Sequence, residues 1–572
     1  MNNEKKLKNN GSIALFLVGI VLSVGFLVII TISDSHLRPM PIQFEDPNEK
    51  VKLMGTYYPA ESEYGILLCH GFGSDQIAMR PLASEFSKEG FHVFTFDFMG
   101  HGRSDGVLQY NNAETDVLAK QVLIALEIFK DQSGLEESSI FIIGHSMGAR
   151  VALQSQTMTN RTVRSLVLFG VSINLQTNVQ SDVFTGVQDA NLEWIQNLNS
   201  TNPKLDLCVI VGTNDDILTP DAASVLLSKL NEGGNNPYKR DLILVDNVFH
   251  NYEIWTPTSI QVAKQWIKNQ MLLIDRNYSE RINSSMNLTY LRISVWIFTT
   301  LGLFISIIAG SNLLSSYLKK QESENRESMN DTITITDTKK WIKYKLLSWF
   351  PAFGIGGIIM MLLFIIPIGI PVFNIIFVGL ISGYGLWMII AFKRKRLPFS
   401  DNQYNFKSLF SFEKSNNINI NIKGKKEIVC IIILSIVYVF GISAWVARTG
   451  LFTVFPIMQR GFWLVLFSIL TAFGYYIGQK ELEWAKQSKL NSKVLIAISL
   501  IPFVLFLLFF LAIGSLAGML GMFQNLIILS MVAFVGELMS RLLKKEISAS
   551  LIQGILLQLL IIPQGALFAS LF

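Results

Sequence analysis

Residues 140–148 have the sequence Ile140-Phe141-Ile142-Ile143-Gly144-His145-Ser146-Met147-Gly148, and a helix-like run from Ala149 to about Met158 follows. The first four residues form a short, unbroken apolar run, as is typical of parallel strands buried on both faces. The next five match the pattern Gly-x-Ser-x-Gly, in which small glycines allow a tight turn that lifts the serine clear of the sheet. The helix N-terminus beneath Ser146 favours developing negative charge. The segment therefore predicts a strand, a sharp turn carrying Ser146, and a helix.

Similar apolar runs recur on both sides of this segment, at residues 66–69, 93–96, 166–169, 207–211 and 242–245. Longer segments with helical periodicity lie between them, such as residues 113–131. A repeated alternation of this kind predicts an open, mostly parallel α/β sheet. Since ligands bind at the carboxyl ends of the strands in such sheets, the reactive residues are expected there.

A serine hydroxyl needs a positioned base to act as a nucleophile near neutral pH. If the base follows the nucleophile along the chain, His250 is the one histidine of six that qualifies. The carboxylate that orients the imidazole should follow the 207–211 run, where Asp215 is the first choice and Asp216 the alternative. The sequence thus predicts Ser146, His250 and Asp215 as the catalytic residues.

An oxyanion hole is expected at the turn His70-Gly71-Phe72-Gly73, which follows the 66–69 run. Its glycines allow backbone N–H groups to point at a developing oxyanion, and we assign this role to the amides of Phe72 and Met147. The remaining residues of the two turns are expected to support these amides: His70, Gly71, Gly73, Gly144 and Gly148.

Four further polar residues lie close to these turns. Asp75 is expected to be a solvated turn residue, with contact to the substrate as the alternative. Local hydrogen bonds are expected to organise the loop after the 93–96 run, through Asp97, His101 and Asp105.

Together these motifs resemble the α/β-hydrolases. The order of glycine-rich turn, serine turn, aspartate and histidine matches that family. The segment Phe96-Asp97-Phe98-Met99-Gly100-His101-Gly102-Arg103-Ser104-Asp105-Gly106 is similar to its monoacylglycerol lipase, lysophospholipase and serine aminopeptidase-like branch. The resemblance covers residues 48–272 and implies a serine hydrolase that cleaves carboxylic esters through an acyl-enzyme. Lipid-derived esters, similar to monoacylglycerols or lysophospholipids, are the expected substrates. It implies no cofactor and no metal, and it leaves only a short cap at about residues 171–204.

The composition indicates that much of the chain lies in lipid. Half of the residues are hydrophobic (50%), only 16% are charged, and the mean hydropathy is +0.39, whereas soluble proteins carry about 25% charged residues. Residues 13–32 contain no charged residue and are long enough to span a bilayer. An uncleaved anchor is predicted there, with a cleaved signal peptide as the alternative.

Further apolar runs occur at about 291–318, 346–367, 372–392, 428–447, 454–478, 494–518, 522–540 and 549–572. As an alternative, the second and third of these runs form one long helix that is broken at Pro367–Pro371. The sequence therefore predicts a transmembrane anchor at 1–33, a hydrolase domain at 34–290, and an all-α transmembrane bundle of about eight helices at 291–572.

Basic residues predict the orientation. Seven Lys and Arg residues fall in 319–345 and nine in 393–426, whereas the short loops on the opposite side contain Arg448 and Arg460 alone. Cytoplasmic loops carry such an excess of positive charge. We therefore expect a multi-pass protein of the cell membrane with a cytoplasmic N-terminus and an extracytoplasmic hydrolase domain.

The expected partners are the lipid bilayer and a small acyl-ester or lipid substrate. Nucleic acid is not expected despite the net charge of +5, because no basic patch with interleaved aromatic residues occurs. The three cysteines lie far apart in apolar segments, which predicts neither a disulfide nor a metal site. The sequence does not define the oligomeric state. A serine peptidase acting on N-terminal residues, and a transport or sensor protein with a non-catalytic hydrolase-like domain, remain alternatives.

Overall fold

The computed structural model describes residues 2–108, 113–159, 162–173, 192–234, 236–282, 287–322, 335–366, 370–399, 409, 458–488, 492–512, 516–543, 546–561 and 567–568. These residues form a sheet with helices on both faces and a second part composed mainly of long helices. Most of the expected cap falls outside them, because only residues 171–173 and 192–204 of that segment are described.

One sheet contains β1 (Met40–Asp46), β2 (Val51–Tyr58), β3 (Gly65–Cys69), β4 (His92–Asp97), β5 (Ile140–His145), β6 (Ser165–Phe169), β7 (Asp206–Gly212) and β8 (Arg240–Val245). The spatial order is β1-β2-β4-β3-β5-β6-β7-β8. β1 and β2 pair in antiparallel fashion, as do β2 and β4, and all the other neighbours are parallel. The expectation of an open, mostly parallel α/β sheet is confirmed.

The first two strands were not among the predicted ones. In β2, buried Leu53, Gly55 and Tyr57 alternate with less buried residues, and β1 is largely exposed at the edge of the sheet. A half-buried antiparallel strand shows alternation instead of an unbroken apolar run. A search for apolar runs therefore finds the six parallel strands and misses these two.

The chain begins with α1 (Asn2–Ser33), and shorter helices accompany the sheet: α2 (Arg80–Lys88), α3 (Ala113–Ser133), α4 (Met147–Thr157), α5 (Glu193–Gln196), α6 (Pro220–Leu230), α7 (Pro257–Leu272) and α8 (Arg276–Arg281). Side chains from the two faces of the sheet enter two separate apolar clusters, one with α3 and α4 and the other with α2 and α7. Burial on both faces explains the unbroken apolar runs of the central strands.

The helical half consists of α9 (Asn287–Glu322), α10 (Thr338–Leu347), α11 (Trp349–Leu363), α12 (Val372–Lys393), α13 (Met458–Gln487), α14 (Ser492–Ala512), α15 (Leu516–Leu543) and α16 (Glu546–Ile561), with a two-stranded pair of β9 (Ile370–Pro371) and β10 (Leu567–Phe568). Within the described residues, five helical segments are long and apolar enough to cross a membrane: Asn10–His36, Leu288–Gly310, Thr338–Leu363, Asn374–Lys393 and Arg460–Ala485. The span expected at 428–447 lies outside the described residues.

α11 and α12 pack against each other through glycines. A Cβ atom on Gly383 would lie 2.4 Å from the carbonyl oxygen of Ala352 and 2.7 Å from the backbone nitrogen of Gly356. The two helices therefore form a hairpin, and the alternative of one long broken helix is wrong.

α1 and α9 pack closely against each other and form a two-helix stalk. Both helices present a Gly-x-x-x-Ser pair at their contact, Gly19 with Ser23 and Gly302 with Ser306. A Cβ on Gly302 would lie 2.6 Å from the backbone nitrogen of Ser23 and 2.7 Å from the carbonyl oxygen of Gly19. Small residues at this spacing allow helices in lipid to approach closely.

The top of the stalk is attached to α2 by buried polar contacts. Arg292 of α9 forms an ion pair with Asp34, and the guanidinium of Arg80 lies 3.4 Å from the same carboxylate. Glu85 accepts hydrogen bonds from the backbone nitrogen and the hydroxyl of Thr289 at 2.9 and 2.7 Å. Asp34, Glu85, Thr289 and Arg292 are almost fully buried, so the loss of one charged partner would leave another buried charge uncompensated.

The stalk contact predicts the effect of a larger residue at position 302. The substitution Gly302→Leu should destabilise the protein by about 1–3 kcal/mol, because the new side chain would overlap the backbone of α1. Thermal unfolding of the full chain in detergent measures the effect. Gly25→Leu is the matched control, since Gly25 lies in α1 with no atom near its missing Cβ. Equal unfolding temperatures for the two variants would contradict the close packing of α1 on α9.

Candidate active site

Ser146 occupies the sharp turn between β5 and α4. Its backbone has φ 54° and ψ −121°, a conformation that residues other than glycine rarely adopt. Two glycines permit the turn: a Cβ on Gly148 would lie 2.3 Å from the carbonyl oxygen of Cys69, and one on Gly144 would lie 2.5 Å from the Cα of Ala149. The serine side chain remains partly exposed. The strained turn thus presents the hydroxyl at the carboxyl edge of the sheet.

Ser146, His250 and Asp215 lie within one chain of hydrogen bonds. The Nε2 atom of His250 is 2.9 Å from the Oγ of Ser146, and its Nδ1 is 2.7 Å from the Oδ2 of Asp215. A carboxylate can only accept, so Nδ1 carries the proton and Nε2 accepts from the hydroxyl. The structure therefore brings together all three residues that the sequence singled out for catalysis.

Of the two candidate aspartates, Asp215 is the one in contact with the histidine. It is 3% exposed, and its Oδ1 accepts hydrogen bonds from the backbone nitrogens of Ile217 and Leu218 at 2.9 and 2.8 Å. Asp216 is exposed. The two amides leave Oδ2 of Asp215 aimed at the imidazole.

The oxyanion turn (residues 70–75) lies beside the serine. A Cβ on Gly71 would lie 3.1 Å from the Cβ of Ser146, so only glycine fits there without displacement. Met147 is the first residue of α4, and the helix leaves its N–H without an intrahelical partner. The turn and the helix end thus lie on the same side as the hydroxyl, while the oxyanion role of the Phe72 and Met147 amides stays a prediction.

His70 supports the turn as a neutral side chain. Its Nδ1 donates to the carbonyl oxygen of Gly71 at 2.8 Å, and its Nε2 accepts from the backbone nitrogen of Phe98 at 3.1 Å. Burial lowers the pKa of His70 to about 4. The ring therefore links the oxyanion turn to the loop after β4.

The expectation that Asp75 is a solvated turn residue is wrong. It is fully buried, and its Oδ1 accepts from the backbone nitrogen of Ile77 at 2.9 Å, as a cap on the helical turn Gln76–Met79. Asp97 behaves as expected, because its carboxylate accepts from the backbone nitrogens of Gln76 at 2.7 Å and Arg103 at 3.0 Å. These two carboxylates brace the segment that follows the oxyanion turn.

Glu253 is a buried residue of the site that the sequence analysis missed. Its Oε1 accepts from the backbone nitrogen of Gly212 at 2.7 Å, and Gly170 makes room for it, since a Cβ there would lie 2.3 Å from Oε2. Burial and the charge of Asp215 raise the pKa of Glu253 well above its ordinary value. A buried carboxyl group with a raised pKa therefore lies near Asp215. Its position three residues after His250 was the only available signal, and it is a weak one.

Within the described residues, His145, His250 and Glu253 are the one group that could offer three ligand atoms to a metal, with all three within 4.8 Å. The geometry fits hydrogen bonding better. Both ring nitrogens of His250 are engaged, and the Nε2 of His145 donates to the carbonyl oxygen of His250 at 3.0 Å. Burial and the nearby His250 lower the pKa of His145 to about 3. His145 therefore supports the backbone of the loop that carries His250.

Known proteins match the sheet region. The model of a family described as serine aminopeptidase, S33, matches residues 60–213. Protein phosphatase methylesterase 1 of Candida albicans is 31% identical over 22% of this chain and 34% of its own length. Caffeoylshikimate esterase of Arabidopsis thaliana is 32% identical over 19% of this chain and 33% of its own.

A monoglyceride lipase homolog of monkeypox virus is 26% identical over 19% of this chain and 38% of its own length. The chain thus spans little more than a third of the length of these relatives. The matched region is similar to serine hydrolases of the esterase and lipase type, and the expectation of an α/β-hydrolase-like domain is confirmed at that level.

The low pKa of His145 predicts an acid-dependent loss of stability. Below about pH 6.5 the unfolded chain protonates this histidine while the folded protein does not, so its contribution is complete above pH 6.5 and declines as the pH falls toward 3. At pH 5 the loss amounts to about 2 kcal/mol. His145→Gln keeps a donor for the carbonyl of His250 and should show a smaller decrease in unfolding temperature between pH 7.5 and 5 than the wild type.

The exposed His36 provides the control for this comparison. His36→Gln should retain the full acid dependence of the wild type. If His145→Gln loses as much stability on acidification as His36→Gln, His145 is protonated in the folded protein and the assignment of its neutral form is wrong.

Proposed function

We propose that this chain is a membrane-anchored serine hydrolase that cleaves carboxylic esters. The observation that carries the proposal is the hydrogen-bonded series Asp215, His250 and Ser146, with Ser146 on a strained turn at the start of α4. The similarity of residues 60–213 to a hydrolase family, and of shorter stretches to esterases, supports it.

In the proposed mechanism, the Oγ of Ser146 attacks the acyl carbonyl while the Nε2 of His250 takes the hydroxyl proton. The amides of Phe72 and Met147 bind the oxyanion that forms. His250 then gives its proton to the departing alcohol, which leaves an acyl-enzyme. A water molecule, deprotonated by the same Nε2, releases the acid. Asp215 holds the imidazole tautomer and stabilises the imidazolium throughout.

The proposed substrates are lipid-derived esters, similar to monoacylglycerols or lysophospholipids. The stalk of α1 and α9 would hold the site near the bilayer, which raises its effective concentration toward such esters. Similarity to a monoglyceride lipase homolog supports the same class. This proposal includes the expected arrangement of a transmembrane anchor at 1–33, a hydrolase domain at 34–290 and a transmembrane bundle at 291–572.

A serine peptidase is the second candidate, because the matching family is described as serine aminopeptidase. The triad chemistry would serve both reactions, since each proceeds through attack on an acyl carbon. Assays with a panel of esters and aminoacyl amides distinguish the two candidates. If the wild type cleaves aminoacyl amides faster than esters, and Ser146→Ala does not cleave them, the protein is a peptidase and the ester proposal is wrong. Absence of both activities would favour a non-catalytic domain in a transport or sensor protein.

The two aspartates offer a matched test of the mechanism. Asp215→Asn should lower kcat for a soluble ester by about 10⁴-fold, because an amide in place of the carboxylate favours the wrong tautomer of His250. Asp216→Asn should stay within about threefold of the wild type, since Asp216 is exposed and, of the two aspartates, Asp215 is the one hydrogen-bonded to the imidazole. Comparable losses in the two variants, or none in either, would rule out Asp215 as the orienting carboxylate.

The proposed topology makes a prediction for intact cells. Protease added from outside should cleave within residues 34–290, since that domain is proposed to be extracytoplasmic, and should leave the basic 393–426 segment intact. Mass spectrometry of the fragments identifies the cleaved side. Cleavage in 393–426 together with protection of 34–290 would invert the orientation.

A further inference from the structure

Besides the contacts of α9 with α2 and Asp34, the two halves of the molecule meet at the β4–α3 loop (residues 98–108). The backbone nitrogen of Leu567 in β10 donates to the carbonyl oxygen of Gly100 at 2.8 Å, and Leu108 donates back to the carbonyl oxygen of Leu567 at 2.7 Å. Gly100 has φ +72°, and a Cβ there would lie 3.2 Å from the Leu567 carbonyl oxygen. The loop of the sheet region thus continues the hydrogen bonding of the β9–β10 pair in the helical half.

Arg460 reinforces this contact from the first turn of α13. Its side chain is fully buried, and its Nη2 donates to the carbonyl oxygen of Gly100 at 2.9 Å. Beside it, Val107 packs against an apolar cluster of the helical half, with Ile370, Trp463, Phe467 and Leu567 among its members. The sequence predicts Arg460 in a short loop between apolar segments, whereas the structure places it in α13, buried against the β4–α3 loop.

The charge of Arg460 compensates two carboxylates of the sheet region. Asp75 and Asp97 are both fully buried, and both attract the Arg460 guanidinium. Burial raises the pKa of Asp97, and the positive charge of Arg460 opposes that rise. An uncompensated buried charge is strongly destabilising, so the loss of one partner should disturb the others.

These carboxylates brace the oxyanion turn. Asp75 belongs to the turn and caps the helical turn that follows it, and Asp97 binds the backbone nitrogen of Gln76. On the other side, the ring of His101 contacts that of Phe72, with centroids 5.9 Å apart. The backbone of Phe72 is therefore held between groups whose positions depend on the β4–α3 loop.

We propose that the helical half completes the hydrolase site, with Arg460 as a positioning residue that fixes the oxyanion turn through Gly100, Asp75 and Asp97. The inference rests on the proposed function and assigns a role to the helical half that the hydrolase motifs do not explain. Arg460 touches no reacting atom. It acts by holding the Phe72 amide where the oxyanion forms, which affects the transition state more than the bound substrate.

The test compares Arg460→Met and Arg460→Lys with Arg276→Met in the full-length protein. Arg276 is the control, because its side chain is 80% exposed and forms a surface ion pair with Glu280 at 3.1 Å. Arg460→Met should lower kcat for a soluble p-nitrophenyl ester by about 10- to 100-fold, less than loss of an oxyanion donor, with KM changed by less than about threefold. Arg460→Lys should recover part of the loss, since the charge is kept.

A double-mutant cycle identifies the route of the effect. If Arg460 acts through Asp75, Arg460→Met combined with Asp75→Asn should be no slower than the worse single variant. Additive losses would show that the two residues act independently and would overturn the proposed route. Wild-type kcat in a folded Arg460→Met protein, or equal kcat in the Arg460→Met and Arg276→Met variants, would overturn the proposal.

Hydrogen–deuterium exchange separates this inference from the proposed function. Amides in residues 71–79 and 98–108 should exchange faster in Arg460→Met, and in Arg460→Lys to a smaller extent, than in Arg276→Met. If exchange is faster in Arg460→Met but the wild type has no esterase activity, the hydrolase proposal is refuted, whereas the contact of Arg460 with the β4–α3 loop is retained. Unchanged exchange in Arg460→Met would refute the proposed role of Arg460 in positioning the oxyanion turn. If Arg460→Met does not fold, Arg460→Lys carries both measurements.

Discussion

The hydrogen bond between the Nε2 of His250 and the Oγ of Ser146 is the contact on which the proposed chemistry depends. It exists because two unrelated loops converge at one edge of the sheet: the strained turn after β5 and the loop after β8. Asp215 binds the Nδ1 of the imidazole, and the buried Glu253, whose pKa is raised by burial and by the charge of Asp215, lies nearby. Each partner is almost completely buried except the serine. The hydroxyl is therefore the member of the series that solvent and substrate reach.

Much of this arrangement could be predicted from the sequence, because it is encoded locally. Unbroken apolar runs mark strands that are buried on both faces, and the spacing of Gly144, Ser146 and Gly148 marks the turn. The chain order of hydrolase residues then selects His250. The sequence favours Asp215 and leaves Asp216 as the alternative, because the contacts that distinguish them, two backbone amides and the imidazole of His250, form only in the folded chain.

Other features depend on tertiary contacts and leave little trace in the sequence. The buried acid at Glu253 is accommodated by Gly170, a residue more than eighty positions away. Asp75 looked like a solvated turn residue because its cap and its burial depend on neighbouring segments. The sequence predicts Arg460 in a short loop, because its burial depends on the contact of α13 with the distant β4–α3 loop. The proposed coupling of the helical half to the oxyanion turn is thus a property of the assembled chain.

Covalent trapping with a fluorophosphonate, followed by mass spectrometry of the full-length protein, tests the central claim most directly. The reagent should add once, at Ser146, and His250→Ala should slow the addition by at least about a hundredfold, because general-base assistance is worth that much. Absence of an adduct in the wild type, an adduct on another residue, or equal rates with and without His250 would contradict the account.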